Sequence, residues 1–252
     1  MIFLFTDFGR DGPYVGQVHA VLARAAPGAP VIDLIHDLPA YDSRAAAYLL
    51  PAYTSQAEPG DVILAVVDPG VGTARAPVAL HADGRWYVGP DNGLFAMVAR
   101  RATACEQFDI TWRPPHLSRT FHGRDLFAPV AAALAREGFA AAAALATPVA
   151  RSLDRTDWPD DLPAIVYTDR YGNALTGMRA GCIPRSARID VSGWSLSQAE
   201  TYATAPPGAP FWYENANGLV EIAVDRGSAA ALLDLRPGTA LVVDRGGDRA
   251  DR

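Results

Sequence analysis

Cysteine is scarce in this 252-residue chain: Cys105 and Cys182 are the only two, far apart and without partner spacing. A disulfide framework and a cysteine zinc centre are therefore excluded as organising devices. Basic clusters are absent too, and the formal net charge is -6. Nucleic acid and anionic membranes are not expected partners, because both need a basic face; a positively charged substrate is compatible with this balance. Long apolar runs are also missing. The alanine-rich stretch 130–150 is interrupted by Arg136 and Glu137, which rules out a membrane span. The opening "MIFLFTDFG" has no basic leader and reads as a first strand rather than a signal peptide. The five histidines make no HxH or HExxH pattern, so no metal is expected. With 50% hydrophobic and 20% charged residues, the chain has the balance of a soluble, cytoplasmic globular protein able to bury a full core.

What is present is alternation. Up to residue 152, the apolar runs "MIFLFT", "VIDLI" and "DVILAVV" alternate with amphipathic ones: "YVGQVHAVLARAAPGAP", "SRAAAYLLPAYTSQ", "NGLFAMVARR" and "GRDLFAPVAAALARE". This pattern predicts βαβ units, hence an α/β N-terminal domain over 1–152 with a mostly parallel sheet. Pro51 should kink or shorten its helix. "PVALHADGRWYVG" predicts a hairpin about Asp83-Gly84. Residues 153–161, polar and proline-containing, read as a linker. From 162 to 244 the strand-like pieces "AIVYTD", "SARIDV", "LVEIAV" and "TALVV" surround one helical run, "GSAAALLDL". They predict a smaller all-β domain, barrel-like or a sandwich. The charged, glycine-rich residues 245–252 read as a disordered tail.

Ligands of open parallel sheets bind beyond the carboxyl ends of the strands. Three apolar runs carry acids at or near that edge: Asp7, then Asp33 with His36 and Asp37, then Asp68. One aspartate alone is more often a turn or cap residue, but three together point to a polar cleft. The loop "DPGVGTAR" lacks the lysine and hydroxyl of a P-loop and the spacing of a dinucleotide fingerprint. Its glycines permit close approach, and Arg75 is placed to return to Asp68, as a structural ion pair or as part of a site. His122 precedes a glycine and a helix, as a cap or as a general base. In the second half, "YTDRYGNALTG" groups Asp169, Tyr171 and Asn173, and "WYENANGLVEIAVDRGSAA" offers Asn215, Asn217 and Glu221. Trp212 and Tyr213 are candidates for an aromatic wall, although Asn217-Gly218 also reads as a plain turn.

As an ordered set, "TDFGRDGPYVGQ", "DPGVGTAR", "GPDNGLF", "TFHGRDLFAP", "TDRYGNALTG" and "EIAVDRGSAA" resemble the SAM hydroxide adenosyltransferases. These are S-adenosyl-L-methionine hydrolases related to the fluorinase and chlorinase. The resemblance runs from Met1 to Asp234. It implies metal-independent hydrolysis of S-adenosyl-L-methionine to adenosine and L-methionine, with no cofactor. It also implies a homotrimer with substrate between one subunit's N-terminal domain and its neighbour's C-terminal domain. By the same resemblance Asp68, Arg75 and His122 hold the attacking water. His122 is the first candidate for proton acceptor, and Asp68 the orienting group or alternative base. Asp7 matches the carboxylate that takes the ribose hydroxyls, and Tyr41 an aromatic lid position. Asp169, Tyr171 and Asn173 match the stretch that meets methionine and adenine. Asn215, Glu221 and the backbone near Arg226 belong to the adenine-edge region. The chain departs from the family pattern at Ala216 and Asp225. A halide-dependent adenosyltransferase and a nucleoside binder without turnover are the competing readings.

Overall fold

A computed structural model describes residues 1–246. The chain divides into two compact units, Met1–Thr156 and one beginning at Asp157. The expected tail lies, from residue 247 onward, outside the described residues.

The first unit runs β1 (Ile2–Thr6), α1 (Tyr14–Ala25), β2 (Val31–Ile35), α2 (Ser43–Tyr53), β3 (Val62–Val66), β4 (Pro77–Ala82), β5 (Arg85–Pro90), α3 (Ala96–Arg101), β6 (Cys105–Ile110), α4 (Ala128–Glu137), α5 (Phe139–Leu145) and β7 (Ala146–Pro148). Its seven strands form one sheet in the order β2-β1-β3-β5-β4-β6-β7. The expectation of a mostly parallel sheet needs correction. Pairings among β2, β1, β3 and β5 are parallel, but β5–β4, β4–β6 and β6–β7 are antiparallel. The reversal begins at the predicted hairpin, where Asp83 and Gly84 both take positive φ, 46° and 83°, as a two-residue turn of this hand requires.

β3 is buried along its whole length, and its continuous "VILAV" suits a central strand covered on both faces. Ile2, Leu4, Val62, Leu64 and Val66 pack with Val18, Leu22, Val130 and Leu134 from α1 and α4, while the alternate residues Phe5, Ile63 and Ala65 are equally buried. Asp42 caps α2 by accepting from Ala45 N at 2.9 Å, and the helix runs two residues past Pro51. Pro51 has no N–H to give to Ala47 O, and the helix ends within one turn of this missing bond. Gly138, at φ 53°, separates α4 from α5.

The second unit contains β8 (Leu162–Thr168), β9 (Ala174–Arg179), β10 (Arg188–Val191), β11 (Trp194–Leu196), β12 (Pro210–Glu214), β13 (Leu219–Val224), α6 (Ala229–Leu233) and β14 (Val242–Asp244). The strands form two antiparallel sheets, β12-β13-β9-β8 and β11-β10-β14. Ile189, Val191 and Leu196 of one sheet share a core with Met178, Val220 and Ile222 of the other. Isolated bridges, Ala164↔Ala240 and Gln198↔Trp212, join residues beside or within the outer strands.

Candidate active site

Strand order positions the first cluster. The chain goes from β1 to β2 on one side and then returns to place β3 on the other side of β1. Such a reversal leaves a crevice at the carboxyl ends of the two strands. Thr6 pairs with Val66 in the β1–β3 register, so Asp7 and Asp68 emerge side by side. Asn92, from the "GPDNGLF" motif, holds the departing chain by donating from Nδ2 to Val67 O at 2.7 Å.

The glycine loop folds back as the sequence suggested. Thr73 closes it by donating to Gly70 O at 2.7 Å. Gly72 has φ 78°, and a Cβ there would lie 2.5 Å from Arg119 O, so only glycine allows this approach of the two loops. Arg75 Nε donates to Asp68 Oδ1 at 2.9 Å, and Nη2 donates to Asp68 Oδ2. Both side chains are well buried, 10% and 5% exposed, and the guanidinium lies 5.1 Å from the centre of the Phe127 ring. Arg75 Nη2 is also 3.0 Å from His122 Nδ1. Because a guanidinium can only donate, Nδ1 must accept, and a neutral His122 carries its proton on Nε2. Burial, followed by the Arg75 charge, lowers the His122 pKa from its ordinary value.

His122 stands just before a π-helical turn, Gly123–Phe127. A Cβ at Gly123 would meet the Phe8 ring at 2.8 Å, so the glycine permits the loop to close on the β1 end. Asp125 anchors the preceding segment by accepting from Ser118 N at 2.9 Å. Between these loops lies a cavity of about 110 Å³, lined among others by Asp7, Asp68, Thr120, Phe121 and His122. Burial, reinforced by the Asp68 charge, raises the Asp7 pKa against a backbone hydrogen bond from Tyr41. That bond, Tyr41 N to Asp7 Oδ2, measures 3.1 Å. Tyr41 also lines the cavity, is 76% exposed, and takes a left-handed φ of 65°, an unusual conformation for a bulky residue.

Asp33 and His36 do not line this cavity. β2 lies on the far side of β1, and Asp33 pairs with His19 at 2.6 Å. The three-acid cleft thus reduces to two acids, because the third strand is an edge strand.

In the second unit, Tyr171, Asn173 and Arg226 line a cavity of about 480 Å³ together with Tyr202, Val224 and Gly227. Arg226 is left-handed, at φ 54°. Asp169 is used within its own turn, accepting from Tyr171 N, Asn173 N and Asn173 Nδ2 at 2.9, 2.8 and 3.0 Å. Glu221 is buried and accepts from Tyr213 Oη at 2.5 Å and Asn215 Nδ2 at 2.8 Å. Its burial, with the Asp169 charge, raises the Glu221 pKa against those hydrogen bonds. Asn215 Oδ1 accepts from Asn217 N and Leu219 N. Trp212 corrects the aromatic-wall expectation: it is 2% exposed, and its indole donates to Ala187 O. Tyr202 lines the cavity instead and bonds Tyr213 Oη at 3.1 Å. Nothing in its sequence surroundings signals this. Thr120, Phe121 and Phe8, also unassigned from sequence, lie inside the quoted motifs. Among the described residues no His/Cys/Asp/Glu group is arranged to hold a metal ion, and no helix is long and apolar enough to cross a membrane.

A mixed α/β unit with a polar crevice at its strand reversal, followed by an all-β unit with its own cavity, defines a two-domain protein of the α/β class with small-molecule sites. Residues 2–144 match the model of the SAM hydroxide adenosyltransferase N-terminal domain, and residues 163–242 that of the C-terminal domain. The chain belongs to the SAM hydroxide adenosyltransferase family. It is 42% identical to a Thermus thermophilus protein named (R)-S-adenosyl-L-methionine hydrolase, over 94% of this chain and 96% of the relative. A Salinispora arenicola protein of the same name is also 42% identical, over 96% of each. A solved structure from Thermotoga maritima superposes with TM-score 0.85 at 28% identity, covering 97% of this chain and all of that one. One from Thermus thermophilus gives 0.75 at 38% identity, covering 96% and 98%.

Proposed function

We propose that this protein hydrolyses S-adenosyl-L-methionine to adenosine and L-methionine without metal or cofactor. The observation that carries the reading is the buried Arg75 that bonds both Asp68 and His122 beside the Asp7 cavity. The names of relatives 39–42% identical over most of the chain support it. Water attacks the ribose C5′; the C5′–O bond forms as the C5′–S bond breaks, and the electron pair leaves with sulfur as the neutral methionine thioether. One proton is lost from the attacking water. A sulfonium leaves readily, so what the site must supply is an oriented, partly desolvated oxygen in line with the breaking bond.

Asp68 and His122 hold that water, and Arg75 fixes both. With Nδ1 occupied by Arg75, His122 has only Nε2–H to offer and acts as a donor to the water oxygen. Asp68 is then the better placed proton acceptor, which reverses the order of preference expected from resemblance. Asp7 binds the ribose hydroxyls and Tyr41 covers the sugar. Tyr171, Asn173 and Arg226 contact the adenine and methionine parts, supported from behind by Asp169, Asn215 and Glu221. We further infer a cytoplasmic homotrimer with its active sites at subunit interfaces. We read the second unit as a small barrel, a reading supported by the isolated bridges beside its outer strands.

The test is chromatography of S-adenosyl-L-methionine incubated with the protein in EDTA, with and without chloride. Adenosine and methionine are expected in both, and loss of adenosine in Asp68→Asn. A halogenated nucleoside formed only with halide, or substrate bound but intact after hours, overturns the reading.

A further inference from the structure

One buried histidine next to the site has no part in the reaction as described. His36 is 1% exposed and lies between the first two strand ends. Its Nδ1 is 2.7 Å from Thr6 Oγ1. Its Nε2 is 3.0 Å from Asp33 Oδ1, close enough for an ionic contact but off the line of a hydrogen bond. The same carboxylate oxygen contacts His19 Nε2 at 2.6 Å. Thr6 Oγ1 in turn accepts from Phe8 N at 3.3 Å. Two backbone bonds brace the assembly, Gly9 N to His36 O at 2.7 Å and Leu38 N to Thr6 O at 3.4 Å. Asp7 is therefore held between two residues that this assembly fixes.

The chemistry gives the chain of bonds one direction. Were the His36 proton on Nδ1, the Nε2 lone pair would face a carboxylate oxygen, which is repulsive. Asp33 therefore selects the Nε2–H tautomer. Nδ1 must then accept, so the Thr6 hydroxyl donates to it, and a lone pair of the hydroxyl is left to receive Phe8 N–H. Burial raises the Asp33 pKa, but the hydrogen bond from His19 and the close contact of His36 outweigh it and hold the carboxyl below its ordinary range. Its position on an exposed edge strand costs the network little, because only His36 and Thr6 are fully buried.

We propose that Asp33, acting through His36 and Thr6, is a positioning residue for the turn that carries Asp7, and so for binding of the substrate's ribose. The proposal rests on the ribose role given to Asp7 above. Asp33 touches neither the cavity nor the water-holding set, so its effect belongs to ground-state binding. Interactions of that kind change KM and leave kcat alone.

The experiment is a double-mutant cycle on the full chain with Asp33→Ala, Thr6→Val and both together, and Asp33→Asn and Thr6→Ser as conservative controls. Each single change is expected to raise KM for S-adenosyl-L-methionine about five- to tenfold, the effect of about one lost hydrogen bond, with kcat within about twofold. The double variant should be no worse than the more severe single, because both break one chain. The two controls should recover most of the affinity. Unchanged KM in Asp33→Ala, additive effects, or a fall in kcat alone overturns the proposal. If Thr6→Val does not fold, Asp33→Ala against Asp33→Asn decides the matter at an exposed position. Wild-type turnover is measured first. If wild type forms no adenosine, the functional reading fails separately, and adenosine affinity by calorimetry on the same variants then supports or overturns the positioning role.

Discussion

Replacing Asp68 by Asn tests two consequences of one ion pair. The pair is buried on both sides, with Asp68 5% and Arg75 10% exposed. Removing one charge leaves Arg75 in that environment without its partner. Breaking a buried pair in this way costs about 3–5 kcal/mol. At about 2–4 °C of melting temperature per kcal/mol for a domain of this size, the first unit should melt about 6–20 °C lower. Activity should fall about 10²- to 10⁴-fold, the usual worth of general-base help. Differential scanning calorimetry reads the first effect, and initial rates of adenosine formation the second. A companion variant separates them. In Asp68→Leu with Arg75→Met no charge is left uncompensated, so most of the stability should return, while activity stays lost. A double variant as unstable as Asp68→Asn would refute the electrostatic account. Asp68→Asn with a rate within threefold of wild type, about 0.7 kcal/mol, would refute the chemical one.

Four further outcomes follow from the geometry. The acid limb of kcat/KM should lie above 3.8, the ordinary aspartate value, because Asp7 is raised, with His122 contributing below 6.5 because it is lowered; a pH-rate profile still flat below 3.8 contradicts this. For stability the signs are opposite. With His122 lowered, the unfolded chain binds more protons, so its contribution is complete above 6.5 and declines as pH falls. With Asp7 raised, the folded chain binds more protons, so its contribution is complete below 3.8 and is lost as pH rises through the folded value. Gly123→Ala should cost about 1–3 kcal/mol by overpacking against Phe8 and reduce turnover, since the displaced loop carries His122; an unchanged melting curve and rate would contradict it. Tyr213→Phe removes a donor to buried Glu221 and should cost about 1–3 kcal/mol, read as a lower melting temperature.

Local chemistry made much of this protein readable in advance. The hairpin at Asp83-Gly84 was evident because positive φ at two adjacent positions demands such residues. The strand "VILAV" announced its burial by having no polar residue. By contrast β9 and β12, which flank β13, went unnamed as strands. Polar or glycine-containing stretches such as "ALTGMR" become strands here through pairing with neighbours, an influence no local window contains.

The site divides in the same way. By itself the sequence determined which groups were available: Asp7, Asp68, Arg75 and His122 stand in motifs that also carry Gly72 and Gly123, the glycines that permit close approach. Beyond the return of Arg75 to Asp68, which the glycine loop already suggested, tertiary structure decided which of them meet. The reversal of strand order put Asp7 beside Asp68 and sent Asp33 to the edge with His19. Packing buried Trp212 and left Tyr202 to line the second cavity. Arg75 reaches His122 across a loop closure of 47 residues, and that bond fixes which imidazole nitrogen keeps its proton. The physical reason is common to all three. Hydrogen-bond direction, charge pairing and burial are properties of neighbours in space, and spacing along a chain does not specify them.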